Sequence, residues 1–213
     1  MNRLQLSVDG SCIQLPGQRK FALGWAFVAA SSVFCGEHSG ALHIDHEFRC
    51  HHEVLAVIEG FRWARHMGFS PEQVVLSTDD QILGYANTIL HPGNYRKAAA
   101  DKLQDSIRSI CKKHFELDIA AQTLEYLRHA RVEKVNGHGR RGRYFAEHAR
   151  ADILARQSAQ QLAGVPFTEP VLSFEDWLRV GPLEYSPVED KLVHQPFPFC
   201  ADPVPLHLEQ AAT

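Results

Sequence analysis

No CxxC pair occurs among the five cysteines of the 213-residue chain (Cys12, Cys35, Cys50, Cys111 and Cys200), and their number is odd. That argues against a disulfide framework or a structural zinc ribbon, so the thiols read as small core residues in a reducing compartment. No apolar run approaches the roughly 18 residues that a membrane span needs. The opening stretch MNRLQLSVDGSC reaches Asp9 without a long apolar segment, so it does not read as a secretory signal. A soluble cytoplasmic protein with no membrane partner is the expectation. Charge of one sign is also scarce, at a formal net of -3, and internal repeats and low-complexity tracts are missing.

What is present suffices for one well-buried domain and something extra: 45% hydrophobic, 22% charged and 9% aromatic residues. The charge is unevenly spread. Residues 165–213 hold two basic against eight acidic side chains, net -6, which leaves +3 on the first 164. A mildly basic body keeps nucleic acid open as a partner, since electrostatic footprints are local. The same C-terminal stretch holds eight of the 11 prolines, which excludes long regular elements there. It also holds Phe167, Phe174, Trp177, Tyr185, Phe197 and Phe199. We therefore divide the chain into a body, residues 1–164, and an acidic Pro-rich extension, residues 165–213, expected to pack on the body. An acidic docking segment for a protein partner is the alternative for the extension.

In the body, Leu4, Leu6 and Val8 alternate with polar residues and lead into Asp9-Gly10, a strand running into a turn. Residues 21–30 and 41–48 read as two more strands, with 33–37 joined to the third or standing alone. The period then becomes helical: Val54, Val57, Ile58, Phe61 and Ala64 place a helix at about 50–67, and Val74, Val75 and Leu76 begin a strand parallel to the first. Helices are expected at 81–90, 94–115, 119–127 and 144–162, with a short strand at 131–135. The fold class is a mixed α/β sheet with helices on both faces.

Four carboxylates stand at telling places. Asp9 ends the first strand, Glu53 lies in the first turn of the first helix, Asp79 ends the parallel strand, and Asp152 lies in the final helix. If the first and fourth strands pair, all four reach one edge of the sheet. Carboxylates that close cannot all stay ionised without a cation. Hard oxygen donors point to Mg²⁺ or Mn²⁺, whose usual task in such clusters is phosphoryl transfer.

The motifs Val8-Asp9-Gly10-Ser11-Cys12, His52-Glu53, Leu76-Ser77-Thr78-Asp79-Asp80-Gln81, Val135-Asn136-Gly137-His138-Gly139 and Ala151-Asp152-Ile153-Leu154-Ala155 resemble, in order and spacing, those of type 1 ribonuclease H. The resemblance spans residues 4–163. It implies a ribonuclease H-like five-stranded mixed sheet, its first three strands antiparallel, and Mg²⁺-dependent endonucleolytic cleavage of the RNA strand of RNA-DNA hybrids. It implies metal ligation by Asp9, Glu53, Asp79 and Asp152, proton transfer by His138, and substrate contacts at Ser11, Cys12 and Gln81. A histidine in a glycine-rich loop suits proton transfer on its own terms, because the loop can move and imidazole titrates near neutral pH.

The sequence departs from that pattern at Leu15 and at Cys50-His51, where the family has amide or Asn-Arg side chains, and its Trp-rich basic protrusion has no counterpart between residues 94 and 131. Lys97, Lys102, Arg108, Lys112 and Lys113 supply charge there, although the plain reading of such a series is a solvated helix face. The densest basic stretch, residues 128–150, has net charge +5 and includes Arg140, Arg141, Arg143 and Arg150, as expected for phosphate contacts beside the site. Two alternatives stay open: a nuclease of the same fold with another nucleic-acid substrate, and a binding module without catalysis.

Overall fold

A computed structural model describes residues 3–32, 34–45, 52–91, 93, 97–116, 118–135, 146–180, 183–186 and 191–194. Its centre is a five-stranded sheet of β1 (Leu4–Gln14), β2 (Lys20–Ala30), β3 (Cys35–Asp45), β4 (Val74–Thr78) and β5 (Arg131–Lys134). The strand order is β3-β2-β1-β4-β5. Strands β1, β2 and β3 are antiparallel neighbours, while β1 with β4 and β4 with β5 are parallel. This is the mixed sheet that the motif order implied.

The first strand does not turn at Asp9-Gly10 as its alternation suggested. It pairs with β2 from Gln5↔Ala30 to Gln14↔Phe21, and the chain reverses only beyond Leu15, where Gly17 takes φ 68° and the Leu15 N–H donates to the Lys20 carbonyl at 3.0 Å. An Asp-Gly pair is turn chemistry in isolation, but ten cross-strand partners hold this one extended. The third strand starts at Cys35, so the segment 33–37 is joined to it rather than standing alone.

Side-chain alternation sends β1 and β2 residues to opposite faces. Leu4, Leu6, Val8, Leu23 and Phe27 enter the main core with Leu55, Ile58 and Phe61 of α1 (His52–His66). Helices α3 (Lys97–His114) and α4 (Ile119–His129) close that side with Leu103, Ile107, Leu124 and Leu127. Ala26 and Val28 face the other way, against Ala151, Leu154 and Ala155 of α5 (Ala146–Ala163). The expected helix at 81–90 is instead a 3-10 turn at Leu83–Tyr85 followed by the single-turn α2 (Ala86–Ile89). Asp80 caps the start of this segment, its Oδ1 accepting the Ile82 and Leu83 N–H groups, each at 2.8 Å.

Another helix, α6 (Phe174–Val180), follows α5, and its Trp177 is buried in the α5-side cluster. A hairpin of β6 (Leu183–Ser186) and β7 (Lys191–His194) comes next. All three elements are short, as the prolines require. Buried thiols sit where packing wants a small apolar group: burial pushes the Cys111 thiol up to about 11, far from reactive thiolate chemistry. No helix of the described residues is long and apolar enough to cross a membrane.

Candidate active site

The parallel pairing of β1 with β4 ends at Ser7↔Ser77, and two residues further along the same register Asp9 comes level with Asp79. Here the strands part. Ser7 and Asp9 occupy the odd positions of β1, which face α5, and Asp9 is only 5% exposed. Glu53 arrives from the opposite side on the first turn of α1. Its approach depends on Gly10: a Cβ there would lie 2.4 Å from the carbonyl carbon and oxygen of His52 and 2.7 Å from the Glu53 nitrogen. Only glycine lets the helix terminus touch the strand, and the Gly10 N–H then donates to the Glu53 carboxylate.

Helix α5 comes equally close for the same reason. A Cβ on Gly24 of β2 would stand 2.0 Å from the Ala155 carbonyl oxygen. Held there, α5 turns His148 and Asp152, one helical turn apart, toward Asp9. The carboxyl groups of Asp152 and Asp9 hydrogen-bond to each other. Asp152 is also gripped by Arg156, with Nε and Nη2 each 3.1 Å from its two oxygens, and Arg156 reaches on to Glu169 beyond the helix.

Burial first, and then the charges of Glu53, Asp152 and Asp79, hold the Asp9 carboxyl well above its ordinary 3.8. Burial, Asp79 and Asp80 likewise raise Glu53 well above 4.5, against the opposing hydrogen bonds from Gly10 and Asp9. The Glu53 Oε2 atom is buried with no hydrogen-bond partner. A site whose carboxyl groups are pushed up by burial and by neighbouring carboxylates, and whose buried oxygen is orphaned, is short of positive charge. Its donor set fits a divalent cation, and the ligand atoms of Asp9, Asp79 and His148 lie within 4.8 Å of one another.

The four carboxylates singled out in the sequence are thus brought together. Asp80, adjacent to Asp79, is committed to its turn. Ser11 is half-buried, Cys12 packs partly against the main core, and Gln81 is exposed just past Asp79. His138, Arg140, Arg141 and Arg143 lie outside the described residues. Arg150 does not join an exposed basic patch: it is 4% exposed, forks onto Glu37 of β3 at 2.7 and 2.9 Å and donates to the Leu172 carbonyl at 2.8 Å. His148 escaped the sequence reading, although its position four residues before Asp152 signals a shared helix face.

An antiparallel three-strand meander, extended on its first strand by two parallel strands and covered by helices on both faces, decides the architecture. The fold is ribonuclease H-like. Among solved structures, the N-terminal RNase H domain of a Mycobacterium tuberculosis protein is similar at 15% identity and TM-score 0.47, over 77% of this chain and 97% of that one. RNase H1 from the archaeon Halobacterium salinarum gives 19% identity and TM-score 0.44, over 75% and 98%. LC9-RNase H1, a type 1 RNase H with the type 2 active-site motif, gives 16% and 0.46, over 93% and 89%. No protein-family model matches the chain, and no curated protein is similar to it.

Proposed function

We propose that this protein is a metal-dependent endoribonuclease that hydrolyses the RNA strand of RNA-DNA hybrids. The observation that carries the reading is the convergence of Asp9, Glu53, Asp79 and Asp152 at one point of the sheet, with Asp9 raised by burial and by the charges of Glu53, Asp152 and Asp79, and Glu53 by burial and by those of Asp79 and Asp80. Such a cluster is costly to fold and is explained by a cation that neutralises it.

Mg²⁺, with Mn²⁺ as the alternative, would be held by those four carboxylates and would supply an activated water and charge neutralisation at the leaving oxygen. The chain's own residues do the rest. Asp9, within β1, and Asp79, directly after the last residue of β4, would fix the position of the scissile phosphate relative to the sheet. His138 takes the proton released as water oxygen bonds to phosphorus, or returns one to the oxygen that leaves when the P–O bond breaks. Arg140, Arg141 and Arg143 grip phosphates on either side without reading sequence. Gln81, exposed just past Asp79, and Ser11 and Cys12, on the strand beyond Asp9, would meet base edges and sugar hydroxyls.

Leu15 favours a second reading, in which the same machinery serves another nucleic acid. It is buried at the end of the β1-β2 hairpin and offers no amide where the family pattern has one. A cleavage panel of hybrid, double-stranded RNA, single-stranded RNA and DNA, each with Mg²⁺ and with Mn²⁺, separates the cases. Preferential cutting of hybrid RNA is expected. Cutting of a different substrate supports the second reading, and binding without cleavage of any substrate would leave only a nucleic-acid-binding module. The acidic extension, if a protein partner docks on it, would retain that partner when Asp79 is replaced.

A further inference from the structure

His148 has no place in the carboxylate scheme, yet it is among the most deeply buried side chains of the protein, at 2% exposure. Its Nδ1 is buried without a hydrogen-bond partner. Its Nε2 lies 3.7 Å from Asp79 Oδ2, too far for a hydrogen bond. A histidinium present only to balance charge would close that gap to the roughly 2.8 Å of a charge-assisted bond. An imidazole left neutral and unbonded would give up the hydration of its buried nitrogens with nothing in return. Neither role accounts for the placement.

The spacing is within a small shift of that of donors around one ion. With metal bonds of about 2.1 Å, ligand atoms in an octahedral site stand about 3 Å apart when adjacent and about 4.2 Å apart when opposite. The 3.7 Å from His148 to Asp79 lies between these values, and the ligand atoms of Asp9, Asp79 and His148 are mutually within 4.8 Å. Asp152, the remaining α5 carboxylate, is meanwhile forked by Arg156. Of the two side chains that α5 turns toward Asp9, the one without a competing partner is the imidazole.

We propose that His148 is a nitrogen ligand of a divalent cation held with Asp9 and Asp79, and that this ligand makes the site prefer Mn²⁺ to Mg²⁺. The proposal rests on the metal-site reading above. Its chemistry is that of donor softness: imidazole is a good ligand for first-row transition ions, whereas Mg²⁺ strongly favours oxygen and releases its waters reluctantly.

The decisive measurement is electron spin echo modulation of Mn²⁺ added to the full-length protein, unlabelled and with ¹⁵N-histidine, together with Kd values for Mn²⁺ and Mg²⁺ by calorimetry. Nitrogen coupling that changes on labelling is expected. It should persist in His52→Ala, whose imidazole lies 3.6 Å from Glu53, and vanish in His148→Ala and His148→Gln. Both His148 substitutions should weaken Mn²⁺ by about ten-fold or more and Mg²⁺ much less, with Gln nearest to restoring Mg²⁺ preference through its oxygen. Should neither variant fold, the wild-type and His52→Ala spectra still decide whether a nitrogen other than that of His52 is bound. Mn²⁺ bound without nitrogen coupling, or coupling lost in His52→Ala, would overturn His148 ligation while leaving the metal site standing. No Mn²⁺ binding at all would overturn both.

Discussion

On the face covered by α1, the sheet presents Leu4, Leu6, Val8, Leu23 and Phe27 to large apolar side chains; on the face covered by α5, it presents Ser7, Asp9, Gly24, Ala26 and Val28 to alanines and two buried bases. The first arrangement removes apolar area from water at about 25 cal/mol per Å² and stabilises the domain. The second uses small residues, so α5 gains less from burial but its backbone comes within contact of the strands. That closeness lets His148 and Asp152 reach Asp9. The α1 face carries most of the stability and the α5 face most of the chemistry, with Glu53 joining from the α1 side.

Asp79→Asn should separate the two most sharply. Under the proposed function, cleavage should fall by on the order of 1000-fold or more, about 4 kcal/mol of barrier. The melting temperature of the metal-free protein should hold or rise, because one of several mutually repelling carboxylates is gone. Near-normal turnover with Mg²⁺ or Mn²⁺ would remove Asp79 from the site.

Leu55→Ala makes the converse test on the α1 face. A fully buried leucine in the main core should cost about 2–5 kcal/mol in denaturant unfolding, with Mn²⁺ affinity per folded molecule unchanged. If the metal site weakened in step, the two faces would not be independent.

Gly24→Ala should cost about 3 kcal/mol, because the new Cβ would meet the Ala155 backbone at 2.0 Å and no flexible side chain can yield. Unlike Leu55→Ala, it should also weaken Mn²⁺ binding, since α5 must retreat with His148 and Asp152. Stability lost with metal affinity intact would show that α5 closeness is not what builds the site.

Arg150→Met should cost about 2 kcal/mol, less than the 3–5 kcal/mol for breaking a fully buried pair, because the Glu37 side chain is 18% exposed and can regain water. The variant also loses the bond to Leu172, so proteolysis near residues 170–180 should quicken. Unchanged cutting there would mean that Trp177 alone holds α6.

The smallest effect concerns pH. Asp9 and Glu53 are raised in the folded, metal-free chain, so their stabilising contribution is complete only below their ordinary values of 3.8 and 4.5 and is lost as pH rises through the folded values. Metal-free stability should therefore slope downward with pH above about 4, and Asp9→Asn should flatten the slope. Added Mn²⁺ should oppose it, binding more tightly as the protons leave. A slope of the opposite sign would mean that these carboxyls are not the dominant titrating pair.

How much of this was legible beforehand varies by residue. The period of Val54, Val57, Ile58 and Phe61 placed α1 to within two residues, because a helix stripe is a local property of the chain. The order of Asp9, Glu53, Asp79 and Asp152 was readable because each stands at or next to an element that its own neighbourhood specifies. Asp9-Gly10 misled for the complementary reason: local turn chemistry yields to a paired neighbouring strand, and only the fold supplies that strand. Arg150 counted as a surface cation until the approach of β3 placed Glu37 beside it.

The amino-acid sequence by itself thus determined the succession of the five sheet strands and of helices α1, α3, α4 and α5, and the presence of four carboxylates at or beside those elements, since the elements follow from periods of 2 and 3.6 residues. Only the tertiary structure decided that Gly10 and Gly24 are the contact points of two helices, that Arg150 turns inward and that His148 shares a centre with Asp9 and Asp79. Those are distances between segments far apart in the chain, fixed by how closely backbones can pack, and no local pattern records them.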